Sequence, residues 1–505
     1  MKKSEVTRGT VFIAVQNAVQ FSINLLFMMA LARILPQDEI GSISAITFSF
    51  VIFVTISTLS LPTAATKFIS EHIGGGDPSQ ASSVFVAVRK YVLLSSTACL
   101  VVACILSGEF SFLVWGNKER GLVFVAAFLA AYVFVLRNVH LACLRGLHLF
   151  DKYAATAIAV IAFGRAIAIS LAWLGFGVIG VPIGWFSGEI LGLALSLYFC
   201  RGRLPKPGDS YPWRKLFEFS WPLQTERVIS TLADWSDQML LLAATSDLVL
   251  LGTYFLCVRG AASLSIIWLA FNVTVMPTLS GIYGESGKER LAGALGTSLR
   301  YLLFLLLPAA FGLAVLSRSV MVLLGGATYE AGALPLSVLA FGSILQAIAY
   351  ILMSALNAIA ETKAFVKIGL ANVVTNVSLV LLLSPRFGIL GASMARVGMW
   401  TVSFILMLNE LRGHIRIKLD WSAILKCSLS SILMAISVSL LDNLLSSMPN
   451  IVLRIVVDIV FGVFVYGIIL LLLRTLGSED FSLLRALFPE RLHRLLSFLE
   501  QISKW

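Results

Sequence analysis

Four charged side chains lie in one apolar stretch of the sequence, at a spacing that suits binding of ions or of a polar ligand. The stretch is 221–245, and the residues are Glu226, Arg227, Asp234 and Asp237. On an α-helix that turns by about 100° per residue, these positions fall within one sector of the helix surface. Charged groups inside a membrane face other protein groups or a water-filled cavity. The pattern therefore predicts a helix whose charged face borders a hydrated interior.

Two interpretations of this charged face are open. In the first, Arg227 pairs with the acids and holds neighbouring helices together. In the second, the three acids, which outnumber the one base, bind a coupling ion such as H⁺ or Na⁺. The candidates for ion coupling are Glu226, Asp234 and Asp237.

Several arginines also lie within or near apolar segments. An unpaired arginine in a membrane costs a few kcal/mol at least, so we expect these side chains to face the same interior as the acids. The candidate cavity residues of this type are Arg137, Arg165, Arg227, Arg259 and Arg396.

Amide side chains recur at positions i, i+3 and i+7 of the first apolar segment, as Asn17, Gln20 and Asn24. One face of the first predicted helix therefore carries amides. Amides can hydrogen-bond sugar hydroxyls, but small polar residues also join membrane helices to one another. Both interpretations are open, and we include the three amides among the candidate cavity residues.

The composition indicates which elements must position these groups. The chain has 505 residues, of which 58% are hydrophobic and 13% charged, and its mean hydropathy is +0.91. Soluble globular proteins do not have this composition. A spanning helix needs about 20 apolar residues, and the sequence has about fourteen such segments. The prediction is an all-α, multi-pass membrane protein.

The net charge of +11 reflects topology and does not indicate nucleic-acid binding. Most Lys and Arg residues fall at cytoplasmic loops if the N-terminus is cytoplasmic, as the positive-inside rule expects. The basic start MKKSEVTRGT runs straight into a full-length span without a cleavage site. We therefore predict a protein of the cytoplasmic membrane with a cytoplasmic N-terminus.

Three motifs recur at a constant separation of about 211 or 212 residues, which indicates an internal duplication. The pairs are 31–44 with 242–255, 144–154 with 356–366, and 176–180 with 387–391. In the first pair, Gly41 matches Gly252. Six helices per copy is an even number, so the copies are parallel repeats related by an axis along the membrane normal.

This duplication predicts four regions. They are an N-terminal six-helix lobe (1–205), a C-terminal six-helix lobe (206–418), two additional transmembrane helices (419–475) and a cytoplasmic amphipathic tail (476–505). In the additional helices, Arg454 lies four residues before Asp458, at the spacing of a helical ion pair.

Motifs for catalysis are missing from the sequence. It has no nucleophile–His–acid arrangement, Walker motif or dinucleotide fingerprint, and its six cysteines show no paired spacing. We therefore expect no enzyme activity, metal site or cofactor. Energy for any transport would come from an ion gradient, the membrane potential or the substrate gradient.

Four segments carry a family resemblance: ARILPQDEIGSISA, LRGLHLFDKYA, ADWSDQMLLLAATSDLVLLGTY and ALNAIAETKAF. In these the chain resembles polysaccharide transporters of the multidrug/oligosaccharidyl-lipid/polysaccharide exporter superfamily, and most of all O-antigen-type flippases. The resemblance covers essentially the whole chain. It implies two six-helix lobes in a V shape, alternating access, and a basic cavity for the pyrophosphate or sugar acids of a polyprenyl-linked glycan. It places Asp237 at the acid position of the seventh-helix pattern and Arg259 at the basic position after the next turn.

The function implied by this resemblance is translocation of a polyprenyl-linked oligosaccharide across the membrane. The implied partners are the lipid-linked oligosaccharide, membrane lipids, H⁺ or Na⁺ as a coupling ion, and a polysaccharide polymerase or glycosyltransferases, with no nucleic acid. One alternative is a cation-coupled multidrug or metabolite exporter of the same superfamily, in which the acids bind substrate. Another is a non-transporting membrane scaffold for glycan assembly.

Overall fold

The computed structural model describes residues 3–359, 361, 364–415, 417, 419–475, 477, 480–482, 485, 497 and 500. This part of the chain is helical and contains no strand, which confirms the predicted all-α fold. Most of the predicted amphipathic tail, 476–505, lies outside the described residues. The helices are α1 (Lys3–Ile34), α2 (Gln37–Thr58), α3 (Leu61–Gly74), α4 (Pro78–Ile105), α5 (Ser107–Trp115), α6 (Gly121–Gly146), α7 (Phe150–Leu171), α8 (Gly180–Cys200), α9 (Trp213–Thr245), α10 (Leu248–Ala261), α11 (Ser265–Val315), α12 (Ser317–Gly325), α13 (Ala333–Ala358), α14 (Ala364–Arg412), α15 (Trp421–Leu444) and α16 (Ile451–Leu472).

Eleven stretches of the described chain are long and apolar enough to cross a membrane. Two of them, Phe150–Cys200 and Ala364–Arg412, have 51 and 49 residues, and each has room for two spans because about 20 residues suffice. The charged helix α9 is not among these apolar stretches, but its 33 residues are also enough for a span. This arrangement agrees with the predicted set of about fourteen spans and makes the chain a multi-pass membrane protein.

The predicted repeat is visible in the backbone. In both long stretches, Phe150–Cys200 and Ala364–Arg412, the chain turns at a glycine. Gly177 has φ 60° and ψ −147°, and Gly388 has φ 55° and ψ −129°. Side chains other than glycine rarely adopt this conformation. The short helices α5 and α12 have nine residues each and follow α4 and α11 in the same way. Equivalent positions of the two copies therefore share an unusual local structure.

The glycines matched in the first repeat motif meet each other in the structure. A Cβ atom on Gly41 would lie 2.0 Å from the Leu248 carbonyl oxygen, and one on Gly252 would lie 2.4 Å from the Gln37 carbonyl oxygen. Both distances are well inside van der Waals contact. Helices α2 and α10 therefore cross backbone to backbone, as small residues allow in membranes.

Replacement of Gly252 by alanine is expected to destabilise the protein by about 1–3 kcal/mol or more, the usual cost of overpacking. The clashing atoms belong to backbone, so no side-chain rotation relieves them. The measurement is thermal unfolding of the purified variant in detergent. Gly281→Ala is the control, because a Cβ atom added to Gly281 in α11 would have nothing within 4 Å of it. Equal stability of the two variants would contradict the close crossing.

The chain forms two compact units. Unit 1 comprises Met1–Leu256 and Phe365–Ala395, and unit 2 comprises Cys257–Ala364 and Arg396–Trp505. The four regions predicted from the sequence stay a prediction.

Within unit 1, neutral polar side chains join α2 and the turn that follows it to α9. Ser60 donates to Gln224 at 3.0 Å, Thr55 and Thr231 share a hydrogen bond of 3.2 Å, and Ser44 donates to Gln238 at 2.7 Å. These bonds extend over four turns of α9. They fix its rotation and hence the direction of its charged face.

Candidate substrate cavity

Unit 1 encloses a cavity of about 350 Å³ between α1, α2, α6, α7 and α8. Its wall combines aromatic rings with an unusual number of polar groups for a membrane interior. The polar and charged residues that line it are Gln16, Gln20, Thr47, Arg137, Asn138, Tyr153, Arg165, Trp185 and Glu189. Such groups are costly inside a membrane and mark functional sites there.

Arg165 enters this cavity from α7. Its Nε donates a hydrogen bond of 3.2 Å to the side-chain oxygen of Asn24. Its guanidinium carbon lies 4.6 Å from the ring centroid of Phe27 and 5.3 Å from that of Trp185. All three of these neighbours are neutral. They orient the guanidinium group while leaving its positive charge in place.

Arg137 and Glu189 form a buried ion pair on the same wall. The Arg137 Nε lies 2.5 Å from Glu189 Oε2, and the Arg137 Nη2 donates to Glu189 Oε1 at 3.3 Å. The two side chains are 7% and 9% exposed. Gly192 makes room for the pair, because a Cβ atom there would lie 2.5 Å from Arg137 Cδ. With two arginines and one glutamate among its lining residues, the cavity carries an excess of one positive charge.

Glu189 is a site residue that the sequence reasoning missed. It is the one acid of α8, which is otherwise apolar. An acid within a membrane span is by itself a reason to expect a functional site, so the signal was present. The prediction rested on the arginines and on the acids of α9 instead.

Two buried polar atoms at the cavity wall are without a hydrogen-bond partner in the described part of the chain. They are the acceptor Gln16 Oε1 and the donor Trp185 Nε1. An unsatisfied buried group costs about 1–3 kcal/mol. A ligand that offers both a donor and an acceptor, such as a sugar hydroxyl, would satisfy both atoms.

The structure brings some of the predicted amides and arginines together. Arg137, Arg165 and Gln20 line this cavity, and Gln20 also donates to the Ala157 carbonyl oxygen at 3.1 Å. Asn24 contributes by holding Arg165. Asn17 is exposed on the surface of α1.

The charged residues of α9 occupy different environments. Glu226, Arg227 and Asp234 are exposed, whereas Asp237 is fully buried. The Asp237 carboxylate accepts hydrogen bonds from the Tyr254 hydroxyl and from the backbone N–H of Gln238. Asp237 therefore does not share the environment of the other three residues, and the hydrated interior predicted for them stays a prediction. A role of the acids in ion coupling stays a prediction.

A smaller cavity of about 100 Å³ lies within unit 2 and contains Arg396 among the aromatic rings of Trp268 and Trp400. Arg259 of α10 is close enough to Arg396 for their like charges to repel. Two of the predicted arginines of the second copy, Arg259 and Arg396, thus lie near each other. The chamber predicted between the two lobes stays a prediction.

Comparison with known proteins identifies the family. Residues 6–283, more than half of the chain, match the family model described as polysaccharide biosynthesis protein. The chain belongs to this polysaccharide biosynthesis family. Residues 261–462 match a second model, that of the lipid II flippase MurJ. The predicted resemblance to polysaccharide transporters is confirmed.

A relative of this polysaccharide biosynthesis protein is the probable low-salt glycan biosynthesis flippase Agl15 of Haloferax volcanii. The two are 26% identical over 329 residues, which cover 63% of this chain and 69% of Agl15.

Solved structures show the same fold. A lipid II flippase MurJ in an inward closed conformation matches with a TM-score of 0.73 at 17% identity, covering 91% of this chain and 97% of MurJ. An inward-facing MATE multidrug transporter matches with a TM-score of 0.63 at 17% identity, covering 78% of this chain and 94% of its own. A MOP superfamily transporter from Pyrococcus furiosus gives 0.60 at 16% identity, with 81% and 95% covered. The all-α transporter fold predicted from the sequence is confirmed.

Proposed function

We propose that this protein is a flippase that moves a lipid-linked oligosaccharide across the cytoplasmic membrane by alternating access. The observation that carries the proposal is the cavity of unit 1, where the positively charged Arg165 lies among helices long enough to cross a membrane. Membership of the polysaccharide biosynthesis family and the similarity to Agl15 support the substrate class.

The chemistry of the cavity suits part of a phosphate-linked sugar head group. Arginine remains ionised and binds phosphate or sugar-acid oxygens through parallel hydrogen bonds. Gln16 and Trp185 offer one acceptor and one donor to hydroxyl groups, and Phe50 adds an apolar surface. The volume of about 350 Å³ falls within the range of small-ligand sites, about 300–1,000 Å³. The lipid tail remains in the bilayer while the head group crosses.

The distribution of Lys and Arg along the chain supports one orientation of the protein in the membrane. The N-terminus lies in the cytoplasm, on the side where the lipid-linked substrate is assembled. Transport is driven by an ion gradient, the membrane potential or the substrate gradient, and the protein carries out no covalent chemistry. Glycosyltransferases or a polymerase that build and use the glycan are the expected partners.

The direct test is a translocation assay in proteoliposomes. A lipid-linked oligosaccharide with a labelled glycan is placed in both leaflets, and a membrane-impermeant glycosidase removes the glycans it can reach. In protein-free vesicles about half of the label is protected, and we expect reconstituted protein to make nearly all of it accessible. A protected fraction that stays at one half would overturn the flippase proposal.

The same vesicles separate the two alternative functions. A multidrug or metabolite exporter, which the MATE fold similarity favours, would move cationic drugs in response to an ion gradient and leave the glycan protected. A scaffold would move neither class of compound. Both results differ from the one expected for a flippase.

A further inference from the structure

A completely buried carboxyl group lies in the two helices outside the repeat. Asp458, on α16, has 0% of its surface exposed. In the described part of the chain, neither of its carboxylate oxygens accepts a hydrogen bond. An ionised carboxylate in such a place loses its hydration without compensation, at a large cost in free energy.

Arg454 does not provide the compensation that its position on α16 suggests. The helical spacing predicts a pair with Asp458, but Arg454 Nε donates to Asp442 Oδ1 on α15 at 2.6 Å. The same Asp442 oxygen accepts a hydrogen bond of 3.3 Å from Ser319 on α12. The Asp442 and Arg454 side chains are each 16% exposed. Asp442 thus already balances the positive charge of Arg454, so that charge does not compensate Asp458.

The carboxyl group of Asp442 on α15 is close enough to Asp458 to interact with it. Two ionised carboxylates repel each other and have no hydrogen to share. One proton between them removes the repulsion, supplies the donor and neutralises the excess charge. The charged groups that act on Asp458 are Asp442 from α15 and Arg454 from its own helix, and Ser319 from α12 contacts Asp442.

We propose that Asp458 and Asp442 form an intramembrane proton-binding site, in which Asp458 takes up one proton and Arg454 keeps Asp442 ionised. The ligand is a proton and not a metal ion. Hard metal ions take about six oxygen ligands, and one oxygen of Asp442 is already shared by Arg454 and Ser319.

A route for the proton toward the protein surface is offered by one end of the helix pair, where Asp442 and Arg454 are each 16% exposed. Asp458 is the eighth residue of α16, which places it about 10 Å from the start of that helix at about 1.5 Å per residue. The partly exposed Asp442 and Arg454 lie between Asp458 and the connection 445–450. When the proton leaves for water along this route, the cluster changes from neutral to a charge of −1.

Release of the proton would weaken the packing around the site. The added negative charge lies where α15 and α16 meet, and Ser319 links the cluster to α12 of the second repeat. The two helices outside the repeat thereby gain a pH-sensitive connection to the six-helix unit. This property does not depend on the identity of the transported substrate.

Infrared difference spectroscopy of the full-length protein in nanodiscs tests the site. When the pH is lowered from 8 to 5, we expect the C=O stretching band of a protonated carboxyl group to appear, to shift in heavy water and to be missing in Asp458→Asn. Asp209→Asn is the control, because Asp209 is exposed in the connection before α9, and this variant should keep the band. A spectrum that is the same in wild type and Asp458→Asn overturns the proposal.

A second variant covers the case in which Asp458→Asn fails to fold. In Asp442→Asn, Arg454 loses its partner and becomes available to Asp458, so the protonated band should disappear here as well. A band that survives this change unaltered overturns the proposed pair. Since no substrate is present, failure of the flippase assay and failure of this experiment are separate results.

Discussion

Arg137→Ala is expected to destabilise the protein by about 3–5 kcal/mol, because it leaves the Glu189 carboxylate buried without its counter-ion. Both side chains are less than one-tenth exposed, so water cannot replace the lost partner. The measurement is chemical denaturation in mild detergent, followed by tryptophan fluorescence. The variant should unfold at a clearly lower denaturant concentration than the wild type.

The double variant Arg137→Met, Glu189→Leu separates charge from packing. Replacing both members of a buried ion pair by apolar residues of similar volume is often neutral or stabilising, so this variant should recover most of the lost stability. The coupling between the two sites follows from a double-mutant cycle that includes the single variants Arg137→Met and Glu189→Leu. Additive effects of the two single changes would show that the pair does not act as a unit.

Arg165→Ala is expected to slow glycan translocation by about 10- to 100-fold. A hydrogen bond to a charged group contributes about 1.5–3 kcal/mol, and each 1.36 kcal/mol corresponds to a factor of ten in rate. The loss removes the charge that Asn24, Phe27 and Trp185 hold in position. The proteoliposome assay measures the effect.

Two further variants define the role of Arg165. Arg165→Lys keeps the positive charge but loses the planar guanidinium group. We therefore expect a translocation rate between those of the wild type and Arg165→Ala. Arg318→Ala is the control, because Arg318 is 72% exposed and pairs with Glu330 outside the cavity; its rate should be that of the wild type. If Arg165→Ala transports as fast as Arg318→Ala, the cavity of unit 1 does not bind the head group.

The sequence allowed prediction of the fold and of much of the charge placement. A constant separation between motifs was enough to recognise the duplication, because a repeated backbone turn needs glycine at the same place in each copy, as at Gly177 and Gly388. Arg137 and Arg165 could be found because a charge in an apolar span requires a polar neighbour.

The sequence did not allow prediction of which side chains pair between different helices. Helical periodicity tells which residues share a face, but not which face of another helix lies opposite. Arg454 was therefore expected beside Asp458 and instead contacts Asp442. For the same reason Asp237 was grouped with its exposed neighbours, although it is buried and accepts a hydrogen bond from the Tyr254 hydroxyl.

The meeting of Gly41 with Gly252 has a consequence for the origin of the chain. These glycines occupy matching places in the duplicated halves, and matching places touch only beside the rotation axis that relates them. In an ancestor encoded by an unduplicated gene, the same glycine would have met its own counterpart on a second subunit. Such a self-complementary contact has the geometry of a symmetric homodimer interface, here contained within one polypeptide.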